Sequence, residues 1–487
     1  MKTQLTLCIS GTLLLIGMSG CEKAPERPMN VVYILADDLG YGDVGCYGQQ
    51  IIKTPNIDRM AKEGMLFTQH YAGCTVSAPS RCSLMTGLHT GHTQVRGNRE
   101  ITPEGQQPMR EDTYTLGKLM KSAGYTTGIF GKWGLGNPGS VSIPNKMGFD
   151  EFYGYNCQRQ SHSFYPDHLW HNEEKVLFPE NENNACKTYS QDLIHEQALK
   201  FIRDHKEQPF FAMLTYTLPH AELNLPHDSI YKMYENSFEE TPYIGKFDKV
   251  YGGYNTSEKP LASFAAMVSR LDEYVGDVMA ELKELGLDKN TIVIFASDHG
   301  ETMCSQFTDD PKNSPYSESM NIPFLVRYPG HIQPRVDNLL MSAPDIMPTV
   351  LGLCGLGDSI PANVQGRNWA PLFFDEKAEI ERPGGALYIQ NLDGDKDADG
   401  KVQTYFPSSR GYKTARYTLA FYIDKKDRKL QKSLLFDDEK DPYQMNNLPL
   451  EENKEIVAEL CREMGKELKA IDDPWYKERI LSDMIPY

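Results

Sequence analysis

Four runs of β-branched and apolar residues mark this chain: Asn30-Val31-Val32-Tyr33-Ile34-Leu35, Thr126-Thr127-Gly128-Ile129-Phe130, Phe210-Phe211-Ala212-Met213-Leu214-Thr215-Tyr216 and Thr291-Ile292-Val293-Ile294-Phe295-Ala296. Continuous apolar runs of this length predict strands buried on both faces of a parallel sheet. Segments with helical spacing alternate with them. Residues 56–64 have a capping start, apolar positions on one face and a terminal glycine, residues 114–124 are similar, and residues 264–285 carry a long apolar stripe ending at Gly286. The alternation predicts an α/β fold, a doubly wound, mostly parallel sheet flanked by helices, over residues 29–360. Residues 374–402 are rich in charge and glycine. Their Asp393-Gly394-Asp395-Lys396-Asp397-Ala398-Asp399-Gly400 run lacks the spacing of a calcium loop and reads as solvated. Predicted strands at 417–423 and 433–437 and a helix at 450–470 then make residues 374–487 a smaller C-terminal α+β subdomain. No internal repeat is visible.

Each long strand runs into ionisable groups. The first ends in Asp37-Asp38, the second in Gly131-Lys132, the third in Pro219-His220 and the fourth in Asp298-His299. In open α/β sheets this is the edge at which ligands bind, so four such endings predict one shared site.

The first twenty residues change the picture of where the protein works. A basic start at Lys2, an apolar stretch from Leu5 to Gly17, and Met18-Ser19-Gly20 before Cys21 read as a signal peptide. The stretch is too short to span a bilayer. It resembles a bacterial lipoprotein signal, cut before Cys21, whose sulfur then carries lipid. Residues 21–28 read as a tether. The protein is thus expected to be exported and lipid-anchored to the bacterial cell envelope, on its periplasmic or cell-surface side.

The 487 residues are 40% hydrophobic and carry a formal net charge of −17. That suffices for a large core, and it argues against nonspecific nucleic-acid binding, which needs a basic footprint. An anionic substrate would need locally concentrated Lys and Arg. The cysteines outside the signal have neither the density of a disulfide scaffold nor a Cys-x-x-Cys zinc pattern.

The string Ser77-Ala78-Pro79-Ser80-Arg81 resembles the signature of the sulfatase family, in which a Cys or Ser followed by x-Pro-x-Arg is oxidised to formylglycine. Further landmarks follow in the family's order: Asp37-Asp38-Leu39-Gly40-Tyr41-Gly42-Asp43, Thr54-Pro55-Asn56-Ile57-Asp58, Gly131-Lys132-Trp133, Gly148-Phe149-Asp150, Pro219-His220, Asp298-His299-Gly300 and Phe436-Asp437-Asp438-Glu439-Lys440-Asp441-Pro442. The resemblance implies an alkaline-phosphatase-like fold, a bound calcium ion and hydrolysis of a sulfate ester. It implies conversion of Ser77 to formylglycine by a radical maturase before export.

An unmodified serine hydroxyl is a weak nucleophile, whereas a hydrated formylglycine offers one hydroxyl to attack sulfur and another to expel sulfate. The resemblance makes Asp37, Asp38, Asp298 and the modified Ser77 calcium ligands, with His299 where the family uses Asn or His. Calcium prefers oxygen, which makes His299 the odd member of that set. Arg81 is placed to bond the formylglycine hydrate. Lys132 and Lys312, the latter in Lys312-Asn313-Ser314-Pro315-Tyr316-Ser317-Glu318-Ser319, are implied to hold sulfate. His220 is implied to protonate the leaving alcohol.

One departure stands out. Many members have Gly-Lys-Trp-His-Leu-Gly, but this chain has Gly131-Lys132-Trp133-Gly134-Leu135-Gly136, so the histidine that contacts the hydrate is missing. Residues 153–172 are dense in aromatic, amide, Asp and His groups, suited to sugar hydroxyls and ring faces. They resemble a branch acting on sulfated hexoses, of galactose or N-acetylgalactosamine type, in host or algal glycans. Asp167 and His168 are expected as sugar contacts. Two rival readings are a phosphoester or phosphonate hydrolase of the same superfamily and a noncatalytic glycan-binding lipoprotein.

Overall fold

The strand Asn30–Ala36 lies at the centre of the molecule, with every residue buried. Alternation splits its side chains between two cores. Val32 and Ile34 enter one, and Val31, Tyr33 and Leu35 enter the other. Helices cover both faces: Ser190–Asp204 and Pro260–Glu284 supply Ile194, Ala198, Val268 and Leu271 to the first core. Ser77–Thr86, Leu116–Ser122 and Ile346–Leu353 supply Leu84, Met85, Met120 and Val350 to the second. Each of the Ile, Val, Leu and Met side chains among these contributes about 1.5–3 kcal/mol when fully buried. These features come from a computed structural model that describes residues 28–220, 222–242, 257–302, 312, 314–390, 408–424 and 427–487. The expected signal peptide, Cys21, residues 21–27 of the tether and the Asp393 run lie outside the described residues.

The sheet has ten strands in the order Arg335–Asp337, Met65–Phe67, Phe324–Arg327, Thr291–Ser297, Asn30–Ala36, Phe210–Thr215, Thr126–Lys132, Glu151–Tyr155, His168–His171 and Glu174–Leu177. The four expected strands are adjacent and parallel, and Glu151–Tyr155 extends them in parallel. Phe324–Arg327 on one side, and the His168–His171 and Glu174–Leu177 hairpin on the other, run antiparallel to their inner neighbours. The register sets Leu35 beside Thr215 and Ala296, and Gly131 beside Thr215, so Asp37, Lys132 and Asp298 leave the sheet at one edge.

The body extends past residue 360. Trp369, Leu372 and Phe373, around the helix Ala370–Phe374, complete the second core. The C-terminal unit is a four-stranded antiparallel sheet, Ala386–Gln390, Ser408–Lys413, Tyr417–Ile423 and Leu430–Asp437, packed on the helix Lys454–Ala470. Tyr388 against Tyr71, and Phe436 against Tyr316, join it to the body. Among the described residues no helix is long and apolar enough to cross a membrane, and the seven described cysteines are free thiols.

Candidate active site

Asp37 and Asp38 leave the central strand just as it ends. The Asp37 N–H donates to Leu218 O at 3.1 Å, and the Asp298 N–H donates to Ala36 O at 3.1 Å, which ties three strand ends together. Asp38 takes the left-handed backbone conformation, φ +66°, a region in which aspartate is enriched and which costs on the order of 1–3 kcal/mol. It is held there because its N–H donates to Asp298 Oδ1 at 3.2 Å, an oxygen that also accepts the His299 N–H at 2.9 Å. Gly131, φ +123°, permits the close approach beside Lys132; a Cβ there would fall 2.0 Å from Thr215 O.

Ser77 is the first residue of a helix whose ten residues are all buried. Its Oγ bonds Asp37 Oδ1 at 2.9 Å and also Asp298 Oδ2, while Lys132 Nζ donates to it at 3.0 Å. A serine has one proton, so it cannot donate to both carboxylates at once. Lys132 Nζ also pairs with Asp37 Oδ2 at 2.6 Å. Arg81 donates from Nε to Asp298 Oδ2 at 3.0 Å and from Nη1 to Lys132 O at 3.1 Å. Its Nη2 makes no hydrogen bond and stands 3.6 Å from Asp37 Oδ1. Burial would raise the Asp37 carboxyl, but Lys132, Arg81 and His220 outweigh it and hold Asp37 well below the usual range.

Asp38 meets a second set of groups. Lys312 Nζ pairs with its Oδ2, His220 Nε2 lies 3.5 Å from the same oxygen, and His299 Nε2 lies 3.2 Å from Oδ1. His299 Nδ1 is 2.9 Å from Gly300 O. A carbonyl can only accept, so Nδ1 carries a proton. Nε2 faces Asp38 Oδ1, a buried oxygen that accepts no hydrogen bond. A cation between the two would satisfy both. Ligand atoms of Asp37, Asp38, Asp298 and His299 all lie within 4.8 Å of one another. The donor set, mostly carboxylate oxygen, therefore fits a hard divalent ion. Charge agrees: Arg81, Lys132 and Lys312 only balance the three aspartates, and a divalent ion would make the pocket attractive to an anion against the −17 of the chain.

The structure thus brings together Asp37, Asp38, Ser77, Arg81, Lys132, His220, Asp298, His299 and Lys312. It does not bring Asp167 and His168 into that cluster. The His168 ring is held between Asp167 Oδ1 at 2.8 Å and Glu104 Oε2 at 3.1 Å, so both nitrogens are engaged. Trp170 Nε1 donates to the other Glu104 oxygen at 2.6 Å. Extending the pairing of Tyr153 with His171 and Gly154 with Trp170, His168 sits at the same sheet edge as the cluster, two strands beyond Lys132.

Sequence reasoning missed two neighbours of the site. Glu301 is partly buried beside Asp38 and Lys312, and its desolvation there pushes it up to about 8. His162 stacks face to face on His220, centroids 4.8 Å apart and planes 15° apart. Burial, with Lys132 and Lys312, depresses His162 to about 3. No periodicity in residues 153–172 marks His162 as the inward-facing member.

A family profile described as Sulfatase matches residues 29–356, and one described as N-sulphoglucosamine sulphohydrolase, C-terminal, matches residues 309–472. An endo-4-O-sulfatase of Bacteroides thetaiotaomicron is 47% identical over an alignment 519 positions long, covering 98% of this chain and 100% of the relative. The N-acetylgalactosamine-6-sulfatase of Rattus norvegicus is 31% identical over 392 residues, covering 74% of this chain and 68% of that protein. A solved structure from work on metabolism of multiple glycosaminoglycans by Bacteroides thetaiotaomicron superposes with a TM-score of 0.80 at 44% identity, covering 95% of this chain and 100% of the other.

Proposed function

The chain belongs to the sulfatase family and hydrolyses sulfate esters of glycans, and from that premise we propose that it removes sulfate from a hexose of galactose or N-acetylgalactosamine type, using formylglycine made from Ser77 and a calcium ion. The observation that carries the reading is the position of Ser77 Oγ, between Asp37 and Asp298 and within 3.0 Å of Lys132 Nζ. A bare serine there is a weak nucleophile surrounded by groups far stronger than it needs.

Asp37, Asp38, Asp298 and His299 would hold the ion, which supplies positive charge for the oxygen at position 77 and for sulfate. Hydrated formylglycine supplies the attacking hydroxyl. The remaining tasks fall to side chains. Lys132 and Lys312 offer ammonium groups to sulfate oxygens. Arg81 is oriented by Asp298 and the Lys132 carbonyl, leaving Nη2 for the oxygen at position 77. His220 gives a proton to the leaving sugar oxygen. Burial and Lys312 hold the His220 imidazole well below its ordinary value, and the negative charge of bound sulfate moves it back toward protonation. A donor so placed contributes about 10²- to 10⁴-fold.

The 47%-identical endo-4-O-sulfatase supports a sulfate at O4 and action within a chain. Sulfate release from galactosaminoglycan chains sulfated at O4 or at O6, and from their disaccharides, tests this. Faster release from the O4-sulfated polymer is expected. Release only from O6 esters would overturn the position, and release only from disaccharides would overturn endo-action.

Two further parts rest on sequence. A radical maturase oxidises Ser77 before export, and cleavage before Cys21 leaves a lipidated cysteine that anchors the protein in the envelope. Labelling with a fatty-acid analogue, lost on Cys21→Ala, tests the anchor; label retained by that variant counts against it.

A further inference from the structure

Gly134 has φ +71°, and a Cβ built on it would fall 2.1 Å from Gln158 Nε2. The carboxamide of Gln158 therefore occupies the place of the side chain that residue 134 lacks. Gln158 is only 3% exposed, and neither its Nε2 nor its Oε1 has a hydrogen-bond partner. A buried polar group left unpaired costs about 1–3 kcal/mol, so this amide is kept in place against its own desolvation. Two neighbours share the condition: Asn156 Oδ1 and Gln106 Nε2 are also buried without a hydrogen bond.

The placement points to the substrate. The Trp133 N–H donates to Tyr155 O at 2.9 Å and the Gly134 N–H to Asn156 O at 3.2 Å. These bonds carry the pairing of Thr126–Lys132 with Glu151–Tyr155 past the sheet edge where Lys132 reaches Ser77. Consecutive N–H groups that both donate to one strand, with Gly134 in a left-handed conformation, mark the end of regular pairing here. Trp133 is fixed by its Nε1, which donates to Ser142 O at 2.7 Å. The Gln158 amide, against Gly134, thus lies two residues, at most about 7 Å of chain, past Lys132. The next turn, Gln160–His162, lays His162 on His220. Gln158 and His162 therefore stand on one short segment beyond the strand ends, Gln158 against Gly134 and His162 against the candidate acid.

The valence of the amide narrows what it binds. Nε2 needs an acceptor and Oε1 needs a donor. A sulfate oxygen only accepts and would leave Oε1 unpaired. A hydroxyl or an acetamido group both donates and accepts. We propose that Gln158 is a specificity-determining residue whose carboxamide forms a paired hydrogen bond with a hydroxyl or acetamido group of the sulfated sugar, next to the ester. This rests on the reading of the substrate as a sulfated hexose.

The test compares kcat/KM for an O4-sulfated N-acetylgalactosamine disaccharide with a panel in which each free hydroxyl, or the acetamido group, is removed singly. The unaltered enzyme should disfavour one member by about 10²-fold or more. Gln158→Met and Gln158→Leu should bring that member and the parent within about threefold of each other, by lowering only the parent. Thermal unfolding of Gln158→Met should be unchanged or raised, because the variant removes unpaired polar atoms while nearly keeping volume. Three outcomes overturn the proposal: an unaffected parent, an equal loss on every panel member, or a lowered unfolding temperature for Gln158→Met. If the unaltered enzyme acts on the O4-sulfated polymer but on no disaccharide, the same comparison is read on tetrasaccharides carrying the same single deletions; if it releases sulfate from neither polymer nor oligosaccharide, the substrate reading fails first and this inference falls with it.

Discussion

Lys132 Nζ lies 2.6 Å from Asp37 Oδ2, and neither side chain reaches solvent. Breaking such a pair by removing one partner costs about 3–5 kcal/mol, because the other charge stays buried and unpaired. Lys132→Met nearly keeps the volume and removes the charge. It should lower the thermal unfolding temperature and reduce kcat/KM for a sulfated glycan by at least about 10²-fold. Unchanged unfolding would mean that Asp37 is neutralised by other means.

His220 can be separated from the groups that bind sulfate by varying the leaving group. His220→Gln should slow sugar sulfates by about 10²- to 10⁴-fold. It should slow an aryl sulfate with an acidic phenol far less, since that oxygen leaves without a proton. Equal losses on both substrates would assign His220 to sulfate binding.

The Asp38–His299 contact supports a resident divalent ion. Chelation should abolish activity, and calcium should restore it. Calcium should also stabilise the chelated protein, by about 2.7 kcal/mol at a free concentration a hundred times its Kd. Recovery with zinc and not with calcium would contradict the calcium reading and favour a phosphatase-like site.

His70 sets an acid limit on stability. Its ring stacks on Phe324, centroids 4.5 Å apart, and neither nitrogen has a hydrogen-bond partner. Burial depresses it from 6.5 to about 3. Between those values the unfolded chain binds a proton that the folded chain does not. Stability from this group is therefore complete above 6.5 and falls as pH drops toward 3, by about 1.4 kcal/mol per unit at most. Urea unfolding at pH 7 and pH 5 should show a smaller acid loss for His70→Gln than for the unaltered protein. An identical loss would mean that His70 protonates inside the fold.

The inner sheet was legible because its strands are continuous apolar runs with ionisable residues at one end, and the site followed from those ends. The long helix begins at Pro260 rather than at residue 264; proline at the first helical position was the available signal. The strands Ala386–Gln390 and Ser408–Lys413 were missed because they are short and flank a charged segment that separates them from each other in sequence. The hairpin His168–His171 and Glu174–Leu177 was not predicted, because its strands are four residues each and the outer one is largely exposed. Residues 153–172 were recognised as chemically rich, but direction was invisible. His168 turned between Asp167 and Glu104, while His162 turned onto His220, and only tertiary packing decides that.

The central claim is that Ser77 works only after oxidation. Protein produced with varying amounts of maturase should be digested and the Ser77 peptide weighed, the modified form being lighter by two hydrogen atoms. Specific activity on a sulfated glycan should rise in proportion to the modified fraction and extrapolate to zero where none is modified. Full activity in protein whose Ser77 peptide is entirely unmodified would contradict the account.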